Sequence, residues 1–173
     1  MRLFSVSWAF IGAMLVFCSN SALAASDRAD FDIDDDGLIE IFDLEDLNDI
    51  RNHLNGSALY GISTGCPEDG CTGFELANDL NFLNEDGSRV YDNGGLGWQP
   101  IGDIFVDPND PEANPHQSAF SAEFDGNDFT IFNLSINRPN QDYVGLFGYS
   151  YQADISRVGL GGDAATVVGK DFV

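Results

Sequence analysis

Short apolar segments separated by Gly, Asn and Asp dominate the second half of this chain, and they recur at steps of roughly twenty residues. No helical pattern lies between them, and residues 129–136 alternate between apolar and polar side chains except at Ile131-Phe132. Repeats of this size with only β content predict a solenoid whose turns stack side by side. An antiparallel β-sandwich is the alternative, because regularly spaced short strands also fit that fold. The segments are Phe120–Phe124, Phe129–Ile136, Val144–Gly148, Ile155–Leu160 and Ala165–Gly169.

The solenoid prediction specifies a core and a strand arrangement. We expect the strands near Phe129, Ile131 and Ile155 to stack in parallel rather than to pair as hairpins. The apolar residues of these segments should then point into one continuous core. They are Phe120, Phe124, Phe129, Ile131, Leu134, Ile136, Val144, Leu146, Phe147, Ile155, Val158 and Leu160.

Residues 32–43 have the spacing of a calcium-binding loop. An EF-hand loop supplies oxygen ligands from positions 1, 3, 5, 7, 9 and 12 and needs Gly at position 6, where Gly37 stands. Ile39 follows at position 8, where an apolar side chain can anchor the loop. The predicted Ca²⁺ ligands are Asp32, Asp34, Asp36, the backbone carbonyl of Leu38, Glu40 (directly or through water) and Asp43. An acidic linker in solvent is the alternative.

An amphipathic helix is predicted immediately after the loop. Apolar residues recur every three or four positions from Ile41 to Leu54, and Asn55-Gly56 is a helix stop. No entering helix precedes the loop, so the unit is half an EF-hand. It resembles one calcium repeat of a dockerin, although a second repeat is missing.

The first residues indicate export. A positive start, an apolar centre and an Ala-x-Ala site predict a signal peptide over residues 1–24. Cleavage after Ala24 removes Cys18, and we expect Cys66 and Cys71 to form a local disulfide in the oxidising compartment. The predicted organisation is therefore signal peptide 1–24, calcium loop plus helix 25–56, connector with the disulfide loop 57–73, and β-helix repeats 74–173, incomplete at the C-terminus.

The formal net charge of −22 restricts the partners. Such an acidic surface repels nucleic acid and anionic membranes, and the apolar part of the signal is too short to span a membrane. We therefore expect an extracellular protein or polysaccharide ligand. The protein should be secreted or held at the cell surface, with the periplasm as a further location, and monomeric or part of a longer chain.

Residues 120–136, followed by Val144-Gly-Leu-Phe-Gly148, resemble the repeat of bacterial GLUG-motif surface proteins. Asp36–Ile41 with Leu47–Arg51 resembles the calcium-loop leader of such proteins, and Gly97–Gly102 fits the same pattern. The resemblance implies a right-handed parallel β-helix on an exported, adhesin-like bacterial protein. Some GLUG repeats accompany a metallopeptidase, but this chain has no His-Glu-x-x-His sequence.

The expected function is a calcium-binding extracellular scaffold without catalytic activity. The alternative is a polysaccharide lyase or hydrolase, because β-helices can carry paired catalytic acids. Neither a Ser-His-Asp nor a Cys-His arrangement is recognisable, and so acidic a chain brings acids together by chance. The candidate acids for the alternative are Glu123, Asp125, Asp128, Asp142 and Asp154.

Overall fold

The computed structural model describes residues 28–106, 109–110 and 112–171. The predicted signal peptide lies outside this part of the chain. These described residues form nine short strands, one α-helix and two 3₁₀ turns. The strands are β1 (Leu38–Ile41), β2 (Gly73–Leu76), β3 (Leu80–Asn81), β4 (Glu123–Asp125), β5 (Thr130–Phe132), β6 (Ser135–Asn137), β7 (Asp154–Ser156), β8 (Gly159–Gly161) and β9 (Thr166–Val168); the helix is α1 (Leu44–Asp49), and the 3₁₀ turns are Ile50–Asn52 and Asn93–Gly95.

The strands form three sheets in which every strand pair is parallel. Their orders are β1-β2-β4-β7, β3-β5-β8 and β6-β9. Strands that lie far apart in sequence are thus neighbours in space, and the chain winds through four turns of a solenoid. This confirms the predicted mainly β fold with parallel stacking and excludes the sandwich. Antiparallel pairing among the described residues is confined to isolated bridges.

The first sheet starts earlier in the chain than the predicted organisation suggests. β1 lies inside the segment assigned to the calcium loop and helix, yet it pairs in register with β2. The helix consequently begins at Leu44 rather than at Ile41, because Ile41 belongs to β1 and Asp43 caps the helix. Leu47 and Ile50 are fully buried against the sheet. The predicted calcium loop is therefore continuous with the first turn of the solenoid.

Apolar side chains form columns across the stacked strands. Ile39, Phe74 and Phe124 occupy paired positions on β1, β2 and β4, and all three are fully buried. Ile155 continues this column on β7 but is 39% exposed, and Leu160 on β8 is 59% exposed. The prediction that these two residues are buried is wrong, because no further turn covers them within the described residues.

Trp98 fastens the long segment between β3 and β4 onto the stack. Its ring is buried, and its Nε1 donates a hydrogen bond to the carbonyl of Leu146 at 3.1 Å. Phe82 and Tyr91 pack edge-on against it, and the guanidinium of Arg51 lies over its face. The side chain of Trp98 thus anchors residues 97–102 to the stack.

Candidate metal centre

The loop before β1 is folded around the carboxylate of Asp32. This side chain is fully buried and accepts hydrogen bonds from the amides of Asp36 at 3.0 Å and Gly37 at 2.9 Å. Gly37 has φ +92°, a conformation that residues with a side chain rarely adopt. The tight turn predicted at position 6 of the loop is therefore present.

Two groups of carboxylates converge at this loop. In each, one oxygen from every member lies within 4.8 Å of the others. The first group is Asp32, Asp34 and Asp36, as the sequence predicted. The second is Asp34, Glu40 and Glu75. Two ligands on opposite sides of a Ca²⁺ ion, each about 2.4 Å away, would be separated by about this distance. Either group thus has the dimensions of a calcium shell, and Asp34 belongs to both.

Glu75 is not among the ligands that the sequence predicts. It lies on β2 directly opposite Glu40 on β1, and both residues are more than nine-tenths buried. The alternating pattern of residues 73–82 indicated a strand, but only the register between turns brings Glu75 to the loop. The spacing of residues along the chain does not reveal which residues of two strands are paired.

One oxygen of Glu40 has a partner and the other does not. Oε1 accepts a hydrogen bond from the amide of Ile33 at 2.7 Å, whereas Oε2 is buried and has no hydrogen-bond partner among the described residues. A buried carboxylate oxygen without a partner is costly. It identifies a place where a positive group would be strongly favoured.

The buried acid of the helix provides a contrast. Asp46 is buried, as Glu40 is, but both of its carboxylate oxygens accept hydrogen bonds. Its donors are Nη2 of Arg28 at 2.7 Å, the amide of Phe42 at 2.9 Å and the hydroxyl of Tyr60 at 3.1 Å. Asp46 thus has hydrogen-bond donors for both carboxylate oxygens, whereas Oε2 of Glu40 has none among the described residues.

Burial raises the pKa values of the acids in this region. The pKa of Glu75 rises to about 7, primarily because its carboxylate is buried. Repulsion from Asp36, Asp34 and Glu40 adds to that rise. Burial is also the main cause of the raised pKa values of Glu40 and Asp32. Ionising all of these groups together is unfavourable, and a bound cation would reverse that balance.

The remaining predicted ligands are the carbonyl of Leu38 and the carboxylate of Asp43. Leu38 belongs to β1 and pairs with Gly73. Asp43 caps the helix: its Oδ1 accepts hydrogen bonds from the amides of Glu45 at 2.8 Å and Asp46 at 2.9 Å. Asp43 is in neither converging group of the described residues. Asp43, at position 12 of the loop, therefore caps the helix, and its role as a calcium ligand stays a prediction.

The disulfide loop packs against the predicted calcium loop. Cys66 and Cys71 are joined, with their Cα atoms 5.1 Å apart. Sγ of Cys71 lies 3.7 Å from Oδ2 of Asp32, and the amide of Thr72 donates to the carbonyl of Gly37 at 3.0 Å. The segment predicted as a connector thus forms one wall of the carboxylate site.

The acids considered for an enzyme are distributed over the later turns. Asp125 forms an ion pair with Arg157, and Asp142 lies 3.3 Å from Nζ of Lys170. Glu123 and Asp154 are paired on neighbouring strands and are exposed. Asp128 is also exposed.

Over 124 residues, the chain is 33% identical to a protein of Evansella cellulosilytica described as a "Putative Gly-rich membrane protein". The alignment covers 71% of this chain and 11% of that relative, so the chain spans a small part of the relative's length. No protein-family model and no solved structure matches the chain.

Helices in the described ranges are too short or too polar to serve as membrane spans.

Proposed function

We propose that this chain is a calcium-binding β-solenoid scaffold of an exported protein, held at the cell surface or secreted. Its stacked sheets would present loops to an extracellular protein or polysaccharide, and it would act by binding rather than by catalysis. The description of the Evansella relative as a membrane protein agrees with a location at the cell envelope. The acidic surface agrees with a medium that supplies divalent cations.

The observation that carries the proposal is the set of convergent carboxylates around a buried oxygen. Asp32, Asp34 and Asp36 approach one another on a loop with calcium spacing. Oε2 of Glu40, next to them, has no hydrogen-bond partner among the described residues. A linker exposed to solvent would leave its acids apart and hydrated. Here Asp32 and Glu40 are buried, which favours a cation site over the linker.

The donor chemistry favours Ca²⁺ over other ions. Every side chain of the two groups is a carboxylate, and no His or Cys thiolate belongs to either. Zn²⁺ selects nitrogen and sulfur ligands. Mg²⁺ usually retains several waters and binds through one or two carboxylates, whereas Ca²⁺ accepts six to eight oxygens in flexible geometry.

Calorimetric titration with calcium tests the proposal. The wild-type chain should bind with a dissociation constant of roughly 10⁻⁵ to 10⁻³ M, the range of weak sensor and extracellular sites. The double variant Asp32→Ala/Asp36→Ala should give no binding heat. Asp154→Ala/Asp163→Ala removes the same charge from exposed positions of the last turn and should bind like the wild type. Equal heats from wild type and loop variant, or none from the wild type at millimolar calcium, would contradict the proposal.

A further inference from the structure

We propose that Glu75 is a ligand of the bound calcium ion, so that the ion fastens the first turn of the solenoid to the second. This inference rests on the proposed calcium binding and extends it. The ion would then join two strands whose sequences are separated by the helix and the disulfide loop.

The register of the sheet places Glu75 in position. Glu40 and Glu75 are paired residues of parallel strands, so their side chains project from the same face. Their carboxylate oxygens lie within 4.8 Å of each other and of a carboxylate oxygen of Asp34. Asp34 in turn belongs to the loop group with Asp32 and Asp36. This arrangement gives one set of ligands from three elements: the aspartates of the loop, Glu40 of β1 and Glu75 of β2.

Electrostatics favour a positive charge at this point. Like charges directly opposite each other on neighbouring strands are destabilising, and burial strengthens the repulsion. Glu40 is 5% exposed and Glu75 is 6% exposed. Neither forms a salt bridge within the described residues, and Oε2 of Glu40 has no hydrogen-bond partner there. Nη1 of Arg28 donates to the backbone carbonyl of Glu40 at 2.7 Å, and not to its carboxylate.

Asp125, the next acid in the same column of paired residues, is neutralised by a protein cation, Arg157. Asp125 on β4 is paired with Glu75 on β2, and Nε of Arg157 donates to Asp125 Oδ1 at 2.9 Å. Asn127 bridges the two acids, because its Nδ2 donates to Oε2 of Glu75 and its Oδ1 accepts from Arg157. Arg157 thus neutralises one end of the column. A calcium ion would neutralise the other end.

Substitution of Glu75 tests the inference. In the full chain, Glu75→Gln keeps the side-chain volume and removes the charge, and we expect calcium affinity to fall about tenfold or more, since affinity follows the charge count of the ligands. Glu123→Gln is the matched control on the neighbouring strand, with an exposed side chain, and should keep the wild-type affinity. Circular dichroism without calcium checks that each variant is folded.

A second readout reports coordination directly. Terbium bound in place of calcium has a luminescence lifetime in H₂O and D₂O that counts coordinated waters. In Glu75→Ala this count should rise by about one, because water replaces the lost ligand. Wild-type affinity and wild-type hydration in the Glu75 variants, with binding still lost in Asp32→Ala/Asp36→Ala, would overturn this inference alone. No binding to the wild type would overturn the proposed function as well.

Discussion

Glu40 and Glu75 lie directly opposite each other on neighbouring parallel strands, and both are more than nine-tenths buried. Two buried acids at paired positions destabilise a sheet when both are ionised, unless a positive group lies between them. Arg157 has this role for Asp125, further along the same column. An ion bound between Glu40 and Glu75 would therefore hold the first two turns of the solenoid together at the predicted calcium loop.

The turn at Gly37 is expected to be essential for the site. A Cβ at this position would lie no closer than 3.9 Å to Pro67, so Gly37→Ala meets no clash, but its φ of +92° is unfavourable for alanine. We expect unfolding free energy to fall by about 1–2 kcal/mol and calcium affinity to fall with it. Urea denaturation and calorimetry measure the two effects.

Gly61→Ala is the control for this substitution. Gly61 also has positive φ, +74°, and a Cβ there would meet no atom within 4 Å. It should lose a similar stability while keeping its calcium affinity. Unchanged calcium binding in Gly37→Ala would contradict the assigned role of the turn.

Because the third and fourth turns approach closely at Gly126, a larger residue at this position should destabilise the fold. A Cβ at Gly126 would lie 2.3 Å from Cα of Val158 and 2.5 Å from the carbonyl oxygen of Arg157. Gly126→Ala forces the turns apart and should cost about 1–3 kcal/mol in urea denaturation. The nearest atom to a Cβ at Gly161 is 3.5 Å away, so Gly161→Ala should cost less. Equal costs for the two variants would be inconsistent with this stacking.

Acid should remove the contribution of the Asp125–Arg157 pair. The hydrogen bond from Arg157 holds the pKa of Asp125 below its usual value. Because the folded pKa is lower than the unfolded pKa of about 4, the stabilisation is complete above that unfolded value. It is lost as the pH falls through the folded value.

The pH effect can be measured by comparing variants in EGTA. The loss of unfolding free energy in Arg157→Gln should be larger at neutral pH than in strong acid. Arg138→Gln is the matched control, since its guanidinium bonds to the carbonyl of Trp98 and to Gln141 rather than to a carboxylate. A loss in Arg157→Gln that does not change with pH would argue against the pair.

Reduction of the Cys66–Cys71 disulfide should weaken calcium binding. The loop that it closes packs on Asp32 and Gly37, so opening it loosens one wall of the site. Intact mass of the exported protein should increase by two hydrogen atoms on reduction, and calorimetry of the reduced, alkylated protein should give a weaker affinity. Two free thiols in the exported protein would refute the disulfide.

Local patterns in the sequence predicted the features that depend on local chemistry. The spacing of Asp32, Asp34 and Asp36 with Gly37 predicted a tight acidic loop, since turn formation and ligand spacing are local properties. Alternating apolar residues predicted the strands, and their repeat length predicted parallel stacking. Each of these signals lies within a short stretch of the chain.

Features that depend on the register of strand pairing, or on contacts that compete for a side chain, could not be predicted from local patterns. Glu75 reaches the loop because β1 and β2 pair in one particular register. Asp43 fits a calcium position by spacing, but the helix amides engage its Oδ1. Ile155 and Leu160 have core patterns, and their exposure depends on which turns cover them. These outcomes are decided by neighbours that lie far away in sequence.

Hydrogen exchange with and without calcium tests most directly whether an ion joins the loop to the second turn. Binding adds to the stability of the elements that it connects. Saturating calcium should therefore slow exchange at residues 30–41 and 73–76, while residues 154–171 in the last turn should exchange as before. Unchanged exchange at residues 73–76, in a protein that binds calcium, would contradict the account.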